Sequence, residues 1–384
     1  MSKKKSKKNL SQTEGYVKVI RGQPTKKRVS LWEGPSGEGP NGGVTQSLLS
    51  RFVVCRERFR IHAVEGLRQS PTFSHRLEYG QMWHVCEEAL AKHNSWKDPL
   101  HDYCLQLGKT YRTQQEQVLH WENVCRTQFP HYVAWWAKHP DVRSRTPLMQ
   151  EQVFDVPYEL PSGRAVRMRG KWDGVDLIGK DKDARVYLFE TKTKGDIDEG
   201  QMRKQLQFDL QTMFYLIALD AVESQADGRD DVQTILGGKQ LAGVRYNVIR
   251  RPLAGGKNSI RKKETTKTNP RGESDEEFYE RLSGLIAEDP AWYFMRWRVE
   301  VTRQDVERFK RKCLDPWLEM LWDWWEDEAG NPLIPPAERT THARTPFGIY
   351  NVLAEGGSTD LDEYLATGST VGLVKEDALF GELE

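Results

Sequence analysis

The amino-acid sequence predicts an α/β protein, on three observations. The order along the chain is helix, strands, helix, strand and helices, the alternation expected when helices pack on a sheet. Between Ala165 and Lys192 the runs AVRMRG, KWDGVDLI and RVYLFETK have β character and are split by glycine and by the polar turn GKDKDA. After them Met202, Leu206, Leu210, Met213 and Ile217 recur at helical spacing within Glu199–Val222, and LAGVRYNVIR follows as a further strand.

Taken in order, residues 1–44 read as a basic, Gly/Pro-rich flexible tail, because EGPSGEGPNGG is too rich in turn formers to hold an element. A helix begins at Thr45, whose side chain can cap while Val44 packs on Leu49. Leu48, Phe52, Cys55 and Phe59 line one side of it. A second helix spans about Glu78 to His93, and helical stretches rich in Trp and Gln fill 100–138, a helical insertion placed at about 95–150. Strand character starts near Val153. Helices resume at Asp275–Glu288 and Thr302–Trp325, and residues 321–384 form a C-terminal helical or extended segment with an acidic tail. Its last stretch, VKEDALFGELE, reads either as a frayed end or as a segment that folds back on basic surface or docks on a partner.

The bulk numbers bound the class. At 384 residues, 38% hydrophobic and 29% charged, the chain is expected to be a soluble globular protein with a sizeable core. It has no run of about 18 apolar residues, and MSKKKSKKNLSQ has lysines without the apolar core of a secretory signal, so a cytoplasmic setting is expected. Net charge is only +1, yet residues 1–30 carry ten Lys/Arg and the single acid Glu14: either a solubilising tail or an arm that meets polyanions. The five cysteines are widely spaced with no CxxC pair, which predicts reduced thiols.

The stretch RGKWDGVDLIGKDKDARVYLFETKTKGD poses the chemical question. Side chains alternate along a strand, so Val186, Leu188, Glu190 and Lys192 share a face, as do Asp173, Val175 and Leu177 on the strand before. If the turn Gly179–Ala184 joins the two strands, Ile178 faces Arg185, and counting back places Asp173 opposite Glu190. Facing Cβ atoms lie about 4.5–5.5 Å apart, where like charges repel. Lys192, about 7 Å along the strand, can help to neutralise them but cannot bridge both. Two readings remain open: a solvated hairpin with an edge salt bridge, or a divalent cation between Asp173 and Glu190. Oxygen ligands favour Mg²⁺ or Mn²⁺, with the Thr191 carbonyl as a further ligand. A cation there would support phosphodiester hydrolysis, with Lys192 placing water or stabilising developing charge.

GKWDG…YLFETKTK resembles the motifs of the PD-(D/E)XK nuclease superfamily, in particular its RecB-like branch. TQSLLSRFVVCRERF (Thr45–Phe59) is similar to that branch's opening helix, YGQMWHVCEE (Tyr79–Glu88) to its G-x-x-x-H segment, and QTMFY (Gln211–Tyr215) to its Q-x-x-x-Y helix. Glu151 matches a glutamate often found ahead of the first strand. The resemblance covers roughly residues 45–250. It implies a restriction-endonuclease-like core, a central mixed β-sheet flanked by helices, over 45–320. It further implies His84 as an additional metal ligand beside Asp173, Glu190 and Thr191, and catalytic roles for Asp173, Glu190, Lys192, Gln211 and Tyr215. For His84 the other reading is a core histidine bonded to a backbone carbonyl. For Gln207, Gln211 and Tyr215 it is a solvent-facing row, since residues four apart share a helix face. Some members of the branch hold an iron–sulfur cluster, but no cysteine follows Cys313 here, so no cluster is expected and Cys55 becomes a packing residue.

Between Arg250 and Arg271 lie eight basic residues and the single acid Glu264. Arg250, Arg251, Lys257, Arg261, Lys262 and Lys263 are therefore expected to clamp nucleic-acid phosphates without reading bases. The thirteen tryptophans could stack on single strands, but most sit at helical spacing and read as core. The resulting expectation is a Mg²⁺- or Mn²⁺-dependent DNA nuclease acting on ends or single strands in replication, recombination or phage-type DNA processing. The alternative is a catalytically weak nucleic-acid-binding or assembly protein on the same fold. No phosphate loop of the G-x-x-x-x-G-K-[ST] type occurs, so a helicase or recombination partner would be a separate chain.

Overall fold

The computed structural model describes residues 30–93, 95–139, 144–180, 183–224, 241–252, 260–267, 270–326 and 370–383. Helix α1 (Gln46–Val54) starts where expected, with the Thr45 hydroxyl accepting from Leu48 N. After strand β1 (Leu67–Gln69) come α2 (His75–His93), α3 (Lys97–Thr110) and α4 (Gln115–Ala137). Strands β2 (Arg145–Glu159), β3 (Ala165–Ile178) and β4 (Arg185–Lys194) follow, then α5 (Glu199–Leu206), α6 (Leu210–Ser224) and β5 (Leu241–Arg250). The remainder is α7 (Asp275–Glu288), β6 (Phe294–Glu300), α8 (Arg303–Phe309), α9 (Asp315–Trp324) and β7 (Leu373–Lys375).

The main sheet has five strands in the order β2-β3-β4-β5-β6, mixed and flanked by helices, as the α/β reading requires. Neighbours are antiparallel except β4 and β5, which run parallel. Parallel neighbours need a crossover, and α5 and α6 lie within it. On one face Val175, Val186, Leu188, Val244 and Val248 pack with α1, α6, α8 and α9. On the other, Ile249 and Phe294 meet Trp83, Phe129 and Ile286 from α2, α4 and α7. Each fully buried aliphatic or phenyl side chain in these two cores stabilises by about 1.5–3 kcal/mol. Eight tryptophans are among the buried residues, which answers the question of stacking platforms for them. The five cysteines are thiols and not disulfides, and Cys55 is buried.

The β3–β4 register runs from Ile178↔Arg185 to Gly174↔Phe189 and stops there. Beyond Gly174 strand β3 pairs only with β2, out to Ala165↔Glu159, whereas β4 goes on beside β5 to Lys194↔Arg250. The sheet therefore forks. Asp173 and Glu190 are the next residues on either arm.

Several expectations change. The helix predicted over Glu199–Val222 is two helices, because Asp209 Oδ2 caps the second by accepting from Thr212 N (3.2 Å). The Tyr246 hydroxyl meanwhile satisfies the Leu206 carbonyl (2.9 Å). Gln207 thus leaves the row that Gln211 and Tyr215 share. The insertion is helical only to Ala137, and residues 145–150 already belong to β2. The tail boundary at 44 falls too late, although residues 1–29 lie outside the described ones. Trp32 is fully buried, and its Nε1 donates to Gly43 O (2.8 Å). The Gly/Pro loop is gripped by Arg167, which donates to Gly37 O (2.9 Å) and Gly39 O (2.8 Å). The C-terminal stretch is not frayed: β7 pairs antiparallel with β1, Phe380 is buried, and Glu376 meets Arg68 at 2.8 Å. No helix among the described residues is long and apolar enough to cross a membrane.

Candidate metal centre

The site forms at the fork. Asp173 Oδ2 accepts the Thr191 backbone N–H (2.8 Å), so a side chain takes over where the backbone ladder ends. Glu190 is 1% exposed; its Oε1 accepts from Lys192 Nζ (2.7 Å), while its Oε2 has no hydrogen-bond partner among the described residues. Lys192 Nζ also donates to Gln211 Oε1 (2.6 Å), and Gln211 Nε2 reaches Tyr215 OH at 3.5 Å. Helix α6 is aimed by its apolar face, with Met213, Phe214 and Ile217 buried against the sheet. These contacts decide against a solvent-facing row for Gln211 and Tyr215.

Helix α2 brings His84 to the same place. Its Nδ1 lies 3.5 Å from Glu151 Oε1 and 3.8 Å from Asp173 Oδ2. Ligand atoms of His84, Glu151 and Asp173 all lie within 4.8 Å of one another, a spacing that can hold one ion. Glu190 is not one of this tight set. The close set therefore lies on the β2 and α2 side of Asp173. Glu151 sits between the pairs Gln150↔Gly174 and Gln152↔Trp172, hence opposite Asp173, with the left-handed φ of 48°. Such strain concentrates at functional positions. Lys171 Nζ is 2.8 Å from Glu151 Oε2.

Electrostatics reflect acids crowded away from water. Burial, reinforced by the Asp173 charge, pushes the Glu190 carboxyl up to about 7. Burial likewise raises Asp173, against the pull of His84. For Glu151 burial also acts upward, but His84 and Lys171 outweigh it and leave the carboxyl below its ordinary range. Burial lowers His84, yet Asp173 and Glu151 overcome this and bring it to about 10. Lys192 is lowered by burial but raised more by Glu190, so it stays an ammonium. Two acids and an imidazole at this spacing, with the orphaned Glu190 carboxylate oxygen beside them, fit a divalent cation.

Of the residues expected to bind nucleic acid, two are absorbed into the protein. Arg250 is 5% exposed, its Nε donates to Trp292 O (3.1 Å), and its guanidinium lies 3.8 Å from the Trp292 ring centroid. Arg251 is 7% exposed and donates to His75 O (3.3 Å). Both close the end of β5 instead of joining a clamp. Arg261, Lys262 and Lys263 are exposed, Lys262 beside Asp275 (2.8 Å); Lys257 lies outside the described residues.

Sequence reasoning noted Glu151 only through the resemblance and gave it no role in the site, although hairpin arithmetic could have placed it. With β2 and β3 joined at Leu160–Arg164, counting from Glu159↔Ala165 brings Glu151 opposite Asp173, a second like-charge conflict at one strand position. Lys171 carried no comparable signal.

The chain matches the family model described as the PD-(D/E)XK nuclease superfamily over residues 44–315, well over half its length, and it belongs to that superfamily. Members of the superfamily are generally metal-dependent nucleases. No curated protein matches the chain closely enough to count as a relative.

Proposed function

We propose that this chain is a Mg²⁺- or Mn²⁺-dependent deoxyribonuclease of the RecB-like branch, acting on DNA ends or single strands. The observation that carries the reading is the buried Glu190, with one oxygen held by Lys192 and the other unpartnered among the described residues, standing with Asp173 one step beyond the last β3–β4 pair. Asp173, Glu190, Glu151 and His84 would hold the cation, with the Thr191 carbonyl as a further ligand. When bound, the cation supplies a Lewis acid for a phosphate oxygen and makes water more acidic.

The chain's own groups do the rest. Lys192, kept protonated, serves as a fixed positive charge for the developing phosphorane and not as a base. Gln211 accepts from the same ammonium as Glu190, and Tyr215 steadies Gln211. Lys194, lowered by burial and by Lys192, adds positive charge at the end of β4, where a phosphate backbone could approach.

The test uses end-labelled linear, circular and single-stranded DNA, and an RNA of the same sequence, with Mg²⁺, Mn²⁺ or chelator. Cleavage of DNA that needs the cation and disappears in Asp173→Ala is expected. Lys192→Ala should lower kcat by about 10²–10³. Products from circular DNA would exclude a requirement for ends. DNA binding without any cleavage would replace hydrolysis by a binding or assembly role.

A further inference from the structure

One turn after His84 on α2, Glu87 is a buried carboxylate that receives several donors. Its Oε1 accepts from Tyr132 OH on α4 (2.5 Å) and from Asn247 Nδ2 on β5 (3.1 Å), and the Thr191 hydroxyl also bonds to it. Asn247 Nδ2 further reaches Tyr132 OH (2.8 Å) and Thr191 Oγ1 (3.4 Å). Trp83 and Phe294 pack against the Tyr132 ring, at 5.2 and 5.6 Å between centroids. A carboxylate in such apolar surroundings is costly unless its bonds are all made. Here they key α2, which carries His84, to Thr191, whose N–H orients Asp173.

We propose that Glu87 is a positioning residue of the metal centre: it fixes His84's helix against Thr191, so that the imidazole and the Asp173 carboxylate face the same ion. The proposal rests on the cation reading above. Groups that orient metal ligands typically contribute 10–100-fold in affinity or activity.

The experiment measures Mn²⁺ binding from the free-ion electron paramagnetic resonance signal, alongside cleavage kinetics and thermal unfolding. Glu87→Ala should weaken Mn²⁺ binding about 10–100-fold and lower kcat with little change in KM for DNA. Glu87→Gln keeps an acceptor for Tyr132 and Asn247 and turns its amide toward the Thr191 hydroxyl, so binding should return close to the original. Thr191→Val removes the hydroxyl but keeps the backbone N–H, and should weaken Mn²⁺ binding several-fold against the wild type; if Glu87→Ala does not fold, wild-type affinity in Thr191→Val overturns the proposal. Gln128→Ala is the control. That side chain is still more deeply buried but bonds to Tyr79 and the Arg250 carbonyl, so its loss should lower stability and leave Mn²⁺ binding alone.

Unchanged binding in Glu87→Ala, failure of Glu87→Gln to restore it, or an equal loss in Gln128→Ala would each overturn the proposal. So would a wild-type protein that binds no Mn²⁺. Wild-type protein that binds Mn²⁺ without cutting DNA would instead remove only the nuclease reading.

Discussion

Glu190 shows what the site costs the fold. Its carboxyl titrates near 7, against an ordinary value of 4.5. A folded pKa above the unfolded one means that the native state holds the proton more tightly. The resulting stability is complete below pH 4.5 and is lost as pH rises toward 7; above it, the ionised form costs on the order of 3 kcal/mol. Glu190→Gln should therefore melt several degrees higher than the wild type at pH 8 in chelator, with the difference shrinking toward pH 4.5. A melt that is pH-independent in both proteins would contradict the burial argument. Adding a divalent cation should reverse the ranking, because only the wild type keeps the ligand.

At the level of elements, β5 is the strand on which the crossover depends. Gly243 has φ 143°, and a Cβ there would come within 2.1 Å of the Val299 carbonyl on β6. Gly243→Ala should destabilise by about 1–3 kcal/mol, read from urea unfolding, with the spacing of Asp173 and Glu190 on the neighbouring strands retained. The β3–β4 hairpin was legible in the sequence because its register follows from local counting across one short turn. The α5–α6 break was hidden: the stripe from Met202 to Ile217 runs through it, and only the capping geometry of Asp209 shows where one helix stops. Strand β6 was missed although MRWRVE alternates, and β1 could not be seen, since its partner β7 lies some 300 residues along the chain. For the same reason Trp32, whose partners include Phe59 and Trp325, was assigned to a tail. Of the site, Asp173, Glu190, Lys192, Gln211 and Tyr215 carried a pattern; Glu87 and Asn247 meet only after folding.

Over the whole molecule, the proposed ligands come from α2, β2, β3 and β4, so a bound ion would join a helical layer to both arms of the sheet. Wild-type protein at a hundredfold excess of Mn²⁺ over its Kd should gain about 2.7 kcal/mol, and Asp173→Ala should gain nothing; equal shifts in calorimetry would place the ion elsewhere. Amides of α2 should exchange more slowly in the presence of the ion. The divided sheet has a mechanical consequence as well. With its backbone ladder ending at Gly174, it has the form of a caliper, in which a slight rotation at the pivot would change the opening between the jaws. For an ion held there, discrimination between Mg²⁺, with its oxygens at about 2.0–2.1 Å, and the larger Ca²⁺ at about 2.3–2.6 Å, would depend on backbone stiffness at that pivot as much as on the identity of the ligands.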